Sequence, residues 1–252
     1  MAASAAAQLP VELDIQLDKP KGKISPHMWG VFFEDINLGA DGGIYAELVK
    51  NRSFEFDNPW MGWKKLEHTS GEGAYLLLND GQRKGNKRYV RLTNNAESKL
   101  GLQNEGFRGM GIKADATYEF SLQHRSNAPG MQVHVALLDE GERVIAEAQT
   151  PLQSTATWTE TALRLQATAT TGKAKLKVWF TGAGILDVDM LSLFPLDTWK
   201  GRPKGLRKDM VQMLADMKPG FIRFPGGCIV EGRDLANRFQ WKKPWVRSTN
   251  AN

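Results

Sequence analysis

The chain has 252 residues, of which 41% are hydrophobic and 24% are charged, an ordinary globular composition with enough length for one large or two medium domains. The net charge of +5 comes from a local excess of Lys and Arg over residues 199–252, which lacks the interleaved aromatics of a base-stacking surface, so nucleic-acid binding is not expected. No run approaches the roughly 18 consecutive apolar residues of a membrane helix, so no membrane partner is expected.

Cysteine and histidine usage limits the chemistry of the chain. Its one cysteine, Cys228, excludes an intramolecular disulfide, and the four scattered histidines have no metal-ligand spacing. We therefore expect no metal site and no other cofactor. Residues 1–9 lack the basic end and the long apolar run of an intact signal peptide, so they are either a disordered tail or the remnant of a cleavage region. The second alternative would favour a secreted or periplasmic protein.

Two strand patterns and two acids open the chain. Residues 10–18 alternate apolar and polar, as a half-buried strand does, and residues 28–33 end in an apolar run that is typical of a buried strand. Glu34 and Asp35 follow at once. Acids at the end of an apolar strand are how a barrel presents carboxylates in a cleft, although an arbitrary Glu-Asp pair is more often solvated in a loop. Residues 44–50 have the composition of a short helix.

The middle of the chain consists of short β-like runs separated by turn signals. Nine runs at this spacing predict an antiparallel β-sandwich or jelly roll. An irregular, aromatic-rich connector precedes them, and we place a domain boundary between residues 54 and 55. The predicted strands cover residues 75–78, 88–93, 109–112, 117–124, 132–138, 144–149, 157–165, 174–180 and 185–193.

The pattern changes after Pro195. Residues 204–218 place apolar side chains at helical spacing, and Pro219 ends that stripe. Residues 221–224 then predict a short buried strand, followed by Pro-Gly-Gly at 225–227. A helix, a tight turn, a strand and a glycine-rich loop form a unit of an α/β fold, in which functional groups lie at the carboxyl end of the strand.

Three motifs follow one another along the chain. Residues 30–37 are Gly-Val-Phe-Phe-Glu-Asp-Ile-Asn, residues 42–55 are Gly-Gly-Ile-Tyr-Ala-Glu-Leu-Val-Lys-Asn-Arg-Ser-Phe-Glu, and residues 223–228 are Arg-Phe-Pro-Gly-Gly-Cys. Together they resemble the amino-terminal region of glycoside hydrolase family 51 α-L-arabinofuranosidases. Residues 101–109 and 186–195 look like parts of the carbohydrate-binding-like jelly roll that is inserted in longer members of that family.

The resemblance covers roughly residues 10–243 and implies a mixed fold. An antiparallel β-sandwich, a galactose-binding-like jelly roll over residues 55–198, would be inserted into the start of a (β/α)8 TIM barrel. Residues 10–54 would then hold the amino-terminal strands and the first part of the catalytic domain, and residues 199–252 the first helix and strand units. A complete barrel takes about 250 residues, so we expect the barrel to be incomplete in this chain.

The implied activity is retaining hydrolysis that releases terminal arabinofuranosyl groups, so the expected partner is an arabinofuranosyl-containing oligo- or polysaccharide. Glu34 matches the family glutamate that hydrogen-bonds the sugar hydroxyls. Gly226 and Gly227 would let the backbone approach the sugar, and Cys228 would line the pocket. Taken without the family, Pro-Gly-Gly is a turn and Cys228 is a small buried apolar residue.

Retaining hydrolysis also needs two carboxyl groups about 5 Å apart, and the family supplies them from later barrel strands. Asn104-Glu105 lies inside the predicted jelly roll, so we do not assign it the acid/base role. We therefore expect no catalytic residue in this chain, which would be an inactive amino-terminal fragment. The resemblance also allows a homo-oligomer.

The alternative is a carbohydrate-binding module without hydrolytic activity. Trp60, Trp63 and Trp158 could stack on sugar rings, although packing in the core or connector is the commoner role of such residues. Asp187 and Asp189 alternate on one predicted strand, but no third ligand for a cation can be named.

Overall fold

A computed structural model describes residues 12–19, 21–66, 73–81, 85–95, 100–224, 226–227, 230, 232, 234–235 and 238. Over these residues the chain forms mainly β-strands, with one short helix after them. The elements are β1 Val31–Phe32, β2 Trp63–Lys65, β3 Ala74–Leu78, β4 Tyr89–Asn94, β5 Leu100–Asn104, β6 Met110–Ile112, β7 Thr117–Ser126, β8 Gln132–Leu138, β9 Val144–Pro151, β10 Thr155–Gln166, β11 Thr171–Thr181, β12 Gly184–Pro195, a 3-10 turn at Trp199–Gly201, α1 Lys208–Asp216 and β13 Ile222–Arg223.

Strands β2 to β12 form two antiparallel sheets. One has five strands in the order β10-β7-β12-β4-β3, and the other has the order β2-β5-β11-β8-β9, with β6 also paired to β11. Apolar side chains of both sheets belong to one core, with Leu92 and Phe120 from the five-stranded sheet and Val135 and Leu176 from the six-stranded sheet, all without solvent exposure. The two sheets therefore pack face to face as a β-sandwich.

The nine predicted strands correspond to β3, β4 and β6 to β12, and the prediction of an antiparallel β-sandwich is confirmed. Sequence reasoning missed two strands, β2 and β5. Four of the five β5 residues are buried, so the strand has no apolar-polar alternation to identify it, and β2 has only three residues.

The predicted helix over residues 44–50 is wrong, because this segment forms turns and irregular chain instead. The N–H of Ala46 donates to the carbonyl of Gly205, and the N–H of Leu48 donates to the carbonyl of Leu193, so its backbone hydrogen bonds are tertiary rather than helical. The Glu47 carboxylate is buried, where it accepts from the N–H of Leu193 at 2.9 Å and from Arg52 Nη1 at 3.1 Å. The buried Glu47 carboxylate thus ties this segment to β12 through the N–H of Leu193.

The predicted strand over residues 10–18 is also wrong for the residues that the structure describes. Residues 12–19 adopt no regular element, and the apolar side chains of Leu13, Ile15 and Leu17 are exposed. Alternation of apolar and polar residues alone did not specify a strand, because none of the strands in the described part of the chain pairs with this segment.

The last strand lies beside the first rather than in the sandwich. β1 and β13 pair in parallel, with Val31 opposite Ile222 and Phe32 opposite Arg223. Both strands were predicted as buried, but Phe32 is 51% exposed and Ile222 is 63% exposed. Helix α1 has no buried residue, and its Met213 is 69% exposed. We call β1, β13 and α1 the parallel unit.

Within the described residues, no helix combines the length and the hydropathy that a membrane span requires.

Candidate functional site

The carboxyl ends of β1 and β13 meet at one edge of the parallel unit. The ladder continues beyond the strands, because the N–H of Phe33 donates to the carbonyl of Arg223 at 2.9 Å. The rings of Phe33 and Phe224 then pack with centroids 5.7 Å apart. Glu34, which follows β1, is thereby placed beside the glycine-rich loop that follows β13.

Gly226 and Gly227 lie beside the Glu34 side chain. A Cβ atom on Gly226 would lie 2.6 Å from Glu34 Cγ, and the residue has a φ of +135°, so only glycine fits here without strain. A Cβ atom on Gly227 would lie 3.9 Å from both carboxylate oxygens of Glu34. Three of the four predicted site residues therefore lie close together. Cys228, the fourth, lies outside the described residues, so its predicted place in the pocket stays a prediction.

The Glu34 carboxylate is half-buried, and no described residue donates a hydrogen bond to it. The neighbouring Asp35 has a different role, because its Oδ1 accepts from the N–H of Ala40 at 3.1 Å and closes the turn after β1. Of the two adjacent acids, Glu34 is the one for which the described residues supply no hydrogen-bond donor. An ionised carboxylate can accept from two vicinal hydroxyls with charge-assisted strength.

Asn104, the residue before Glu105, is a structural residue. Its Oδ1 accepts from the N–H groups of Lys50 and Gly106, at 3.1 and 2.9 Å, and its Nδ2 donates to the Lys50 carbonyl at 2.9 Å. The side chain of Glu105 is 66% exposed and faces Lys50 Nζ at 3.7 Å. This arrangement fastens the amino-terminal segment to β5 and agrees with leaving the pair out of the catalytic residues.

Two of the three tryptophans considered for sugar stacking pack inside the protein. Trp63 is buried against Phe54, and its Nε1 donates to the carbonyl of Asn51 at 2.9 Å. Trp60 packs against the same core, and Lys65 Nζ lies 4.4 Å from its ring centroid. Trp158 differs in position, because it lies on the outer face of the five-stranded sheet, beside Tyr89, and not against the core.

Asp187 and Asp189, considered as cation ligands, have protein partners instead. Asp187 binds Arg91 and Arg125, and Asp189 accepts from Asn86 Nδ2 at 2.9 Å. Across the described part of the chain, no group of three or more His, Cys, Asp or Glu residues could hold a metal ion.

Comparisons with known proteins indicate a glycoside hydrolase. A family model described as the α-L-arabinofuranosidase 1 domain matches residues 213–249. α-L-Arabinofuranosidase 1 of Arabidopsis thaliana is 35% identical over 258 residues, which cover 93% of this chain and 37% of that protein. An extracellular exo-α-L-arabinofuranosidase of Streptomyces chartreusis is 35% identical over 248 residues, which cover 91% of this chain and 29% of that protein.

A solved structure of an arabinose-bound family 51 α-L-arabinofuranosidase superposes with a TM-score of 0.77 at 30% identity, covering 89% of this chain and 38% of that one. The chain spans about a third of the length of the curated relatives that it matches. It therefore corresponds to the amino-terminal part of glycoside hydrolase family 51 α-L-arabinofuranosidases.

Proposed function

We propose that this chain is the amino-terminal part of a retaining α-L-arabinofuranosidase that removes terminal arabinofuranosyl groups from hemicellulose or pectin side chains. The observation that carries the proposal is the open Glu34 carboxylate, which lies against Gly226 and Gly227 where two parallel strands end. The relatives named as arabinofuranosidases, one of them bound to arabinose, support the assignment of the sugar.

Glu34 would act as a sugar-binding residue rather than as a nucleophile. Its two oxygens would accept hydrogen bonds from vicinal hydroxyls of the arabinofuranose, while Gly226 and Gly227 expose backbone that the ring can approach. Cys228 would line the same pocket. A neutral amide at position 34 would keep the shape but lose the charge-assisted bonds.

The fold that we propose around this site is a (β/α)8 barrel, with β1, α1 and β13 among its first units. Residues 10–54 and 199–252 would belong to the barrel, and residues 55–198 would form the inserted jelly roll. The parallel pairing of β1 with β13 supports this, as do their exposed apolar side chains, because parallel sheets are normally covered on both faces. Further strands and helices of the barrel would cover Phe32, Ile222 and Met213.

The catalytic pair would come from those further barrel strands. Retaining glycosidases hold an acid/base and a nucleophilic carboxyl group about 5 Å apart. Asp35, the acid next to Glu34, is held in a turn by the N–H of Ala40, so it is not positioned as a partner for Glu34. We therefore expect the 252-residue chain alone to lack hydrolytic activity.

The test is hydrolysis of p-nitrophenyl α-L-arabinofuranoside by this chain joined to the remaining sequence of the Streptomyces chartreusis relative, beside the 252-residue chain alone. We expect activity only in the joined protein. Glu34→Gln should lower kcat/KM by about 100-fold, because a buried charge-assisted bond to the substrate contributes roughly 2–3 kcal/mol.

Two results would contradict the proposal: hydrolysis by the 252-residue chain alone, or a joined protein whose kcat/KM is unchanged by Glu34→Gln. Asp35→Asn is the matched control, because the amide oxygen can still accept from Ala40 and should leave kcat/KM within about threefold. A cooperative thermal melt of each joined variant verifies that lost activity is not lost folding.

A further inference from the structure

A tight loop follows Glu34 directly along the chain, and we call its residues 35–43 the site loop. The N–H of Ala40 donates to Asp35 Oδ1 at 3.1 Å, which draws the loop back toward its start. Gly39 lies beside the Glu34 carbonyl, because a Cβ atom on this glycine would be 3.0 Å from the carbonyl oxygen. The backbone of Glu34 is therefore packed against the site loop, so a shift of the loop would also shift Glu34.

The site loop contains two residues with a strained backbone. Asn37 and Leu38 have φ angles of +53° and +68°, in the left-handed region that a leucine rarely adopts. A hydrogen bond from the N–H of Ile44 to the carbonyl of Gly39, at 3.0 Å, closes the loop. Strained backbone persists only where the surrounding structure holds it. The contacts on the outside of the loop therefore help to decide its conformation.

The sandwich supplies such a contact through Phe107, which lies between β5 and β6. A Cβ atom on Gly42 of the site loop would be 2.4 Å from Cγ of this ring and 2.7 Å from its Cδ1. Since a Cβ atom is one bond away from Cα, the ring lies within contact distance of the Gly42 backbone. Gly42 has a φ of +81°, which suits glycine. An aromatic ring of the sandwich thus packs directly against the site loop.

Phe107 is buried without belonging to the sandwich core. Its side chain is 9% exposed, yet it is absent from the described residues that form the core shared by the two sheets. Hydrogen bonds fix the turn that carries it. The N–H of Gly109 donates to the carbonyl of Glu105 at 3.1 Å, and the N–H of Gly106 donates to Asn104 Oδ1 at 2.9 Å. The ring is therefore held in place by its own turn and packs on the site loop rather than in the core.

We propose that Phe107 is a positioning residue for the sugar site. Its ring holds the site loop at Gly42, and the loop in turn fixes where the Glu34 carboxylate lies. Phe107 acts through Glu34 and does not contact the sugar. The effect on catalysis rests on the proposed function, whereas the position of the Glu34 carboxylate can be measured without any sugar. The inserted sandwich thereby takes part in the reaction of the neighbouring barrel.

The first experiment is carboxyl-detected NMR of the 252-residue chain. Phe107→Ala should displace the Glu34 carboxyl resonance, because the site loop loses the ring that packs on it. Phe107→Leu keeps an apolar side chain beside Gly42 and should restore most of the parent position. Gly42→Ala disturbs the same contact from the side of the loop, so it should displace the Glu34 resonance as well.

Ile145→Ala is the matched control. Ile145 is 4% exposed, belongs to the core and lies on β9, at the opposite end of the six-stranded sheet from β2. Its truncation leaves a cavity, so the melting temperature should fall further than in Phe107→Ala, while the Glu34 resonance stays in place. An unmoved Glu34 resonance in Phe107→Ala, or an equal displacement in Ile145→Ala, would overturn the proposal.

The second experiment is a double-mutant cycle on the joined protein, with p-nitrophenyl α-L-arabinofuranoside as substrate. Phe107→Ala should lower kcat/KM about tenfold in the parent and by less than about twofold in the Glu34→Gln background, because residues that act through one another are not additive. A merely structural role would lower kcat/KM by the same factor in both backgrounds. Ile145→Ala should leave kcat/KM within about twofold of the parent, because its site is remote and independent.

The cycle separates the failure of this inference from the failure of the proposed function. If Glu34→Gln lowers kcat/KM but Phe107→Ala has no effect or an additive one, Phe107 does not position Glu34. If Glu34→Gln itself leaves kcat/KM unchanged, the proposed function fails, and the NMR result alone decides whether Phe107 positions the carboxylate.

Discussion

The sandwich and the parallel unit differ in how far their apolar residues are buried. In the sandwich, two antiparallel sheets close over one core, and residues such as Phe120, Leu176 and Phe180 have no solvent exposure. In the parallel unit, Phe32 and Ile222 are exposed although they lie on paired strands. Antiparallel sheets can keep one face in water, whereas parallel sheets need cover on both faces. The sandwich thus carries its own stability, and the parallel unit carries the candidate sugar site.

The largest contrast should appear on truncating apolar side chains. Phe120→Ala in the sandwich core should reduce the free energy of unfolding by about 3–5 kcal/mol, because it leaves a cavity. Ile222→Ala in the parallel unit should reduce it by less than about 0.5 kcal/mol, because the side chain is already exposed. Urea denaturation of the 252-residue chain measures both losses. Similar losses would contradict the difference in burial between the sandwich core and the parallel unit.

The Asn104 side chain should be the next most sensitive position, because it joins the amino-terminal segment to the sandwich. Asn104→Ala leaves the Lys50 N–H and carbonyl without their partner, and we expect a loss of about 2 kcal/mol in the free energy of unfolding. Glu105→Gln, at an exposed side chain, should change it by less than about 0.5 kcal/mol. Equal effects in urea denaturation would show that the hydrogen bonds of Asn104 contribute little.

Gly226→Ala should act on the parallel unit alone. The new Cβ would collide with Glu34 Cγ, and residue 226 has a positive φ that disfavours alanine. The loop must therefore move, and we expect the parallel unit to be destabilised by about 1–3 kcal/mol. Carboxyl-detected NMR should show a displaced Glu34 resonance, while the melting temperature of the sandwich stays within about 1 °C. Gly172→Ala is the control, since nothing lies within 4 Å of its Cβ position. An unmoved Glu34 resonance would mean that the loop does not contact it.

The smallest expected effect is a pH dependence from His124. Burial lowers the pKa of this histidine in the folded chain, while its Nε2 lies 2.9 Å from Thr161 Oγ1. The unfolded chain therefore binds the extra proton more readily, so this contribution to stability is lost as pH falls through the ordinary histidine pKa of about 6.5. Melting temperatures between pH 7.5 and 5.5 should fall less steeply in His124→Gln than in the parent chain. His27→Gln, at an exposed histidine, is the control and should show the same fall in melting temperature with pH as the parent chain. If His124→Gln also shows the fall of the parent chain, His124 does not cause the pH dependence.

The alternation of apolar and polar residues was sufficient to predict most of the sandwich, since strands such as β11 place Leu176, Val178 and Phe180 on one face. It failed at residues 44–50, where helical composition was overridden by tertiary bonds to Gly205 and Leu193. The apolar run predicted that Glu34 follows a strand, but only the resemblance to the family singled it out as a site residue. The cluster around Asp187 was not predictable from the sequence, because pairing between distant strands sets the register that brings Arg91 and Arg125 beside it.

Hydrogen exchange of the 252-residue chain, followed residue by residue, tests the contrast between the two regions most directly. We expect slow exchange at the paired amides of β8 and β11, which open only with global unfolding. We expect exchange at least about 100-fold faster at the amides of Val31 and Phe33, whose hydrogen bonds lie in the exposed parallel unit. Equal protection of the two regions would contradict this contrast, because it would mean that the parallel unit is as stable as the sandwich.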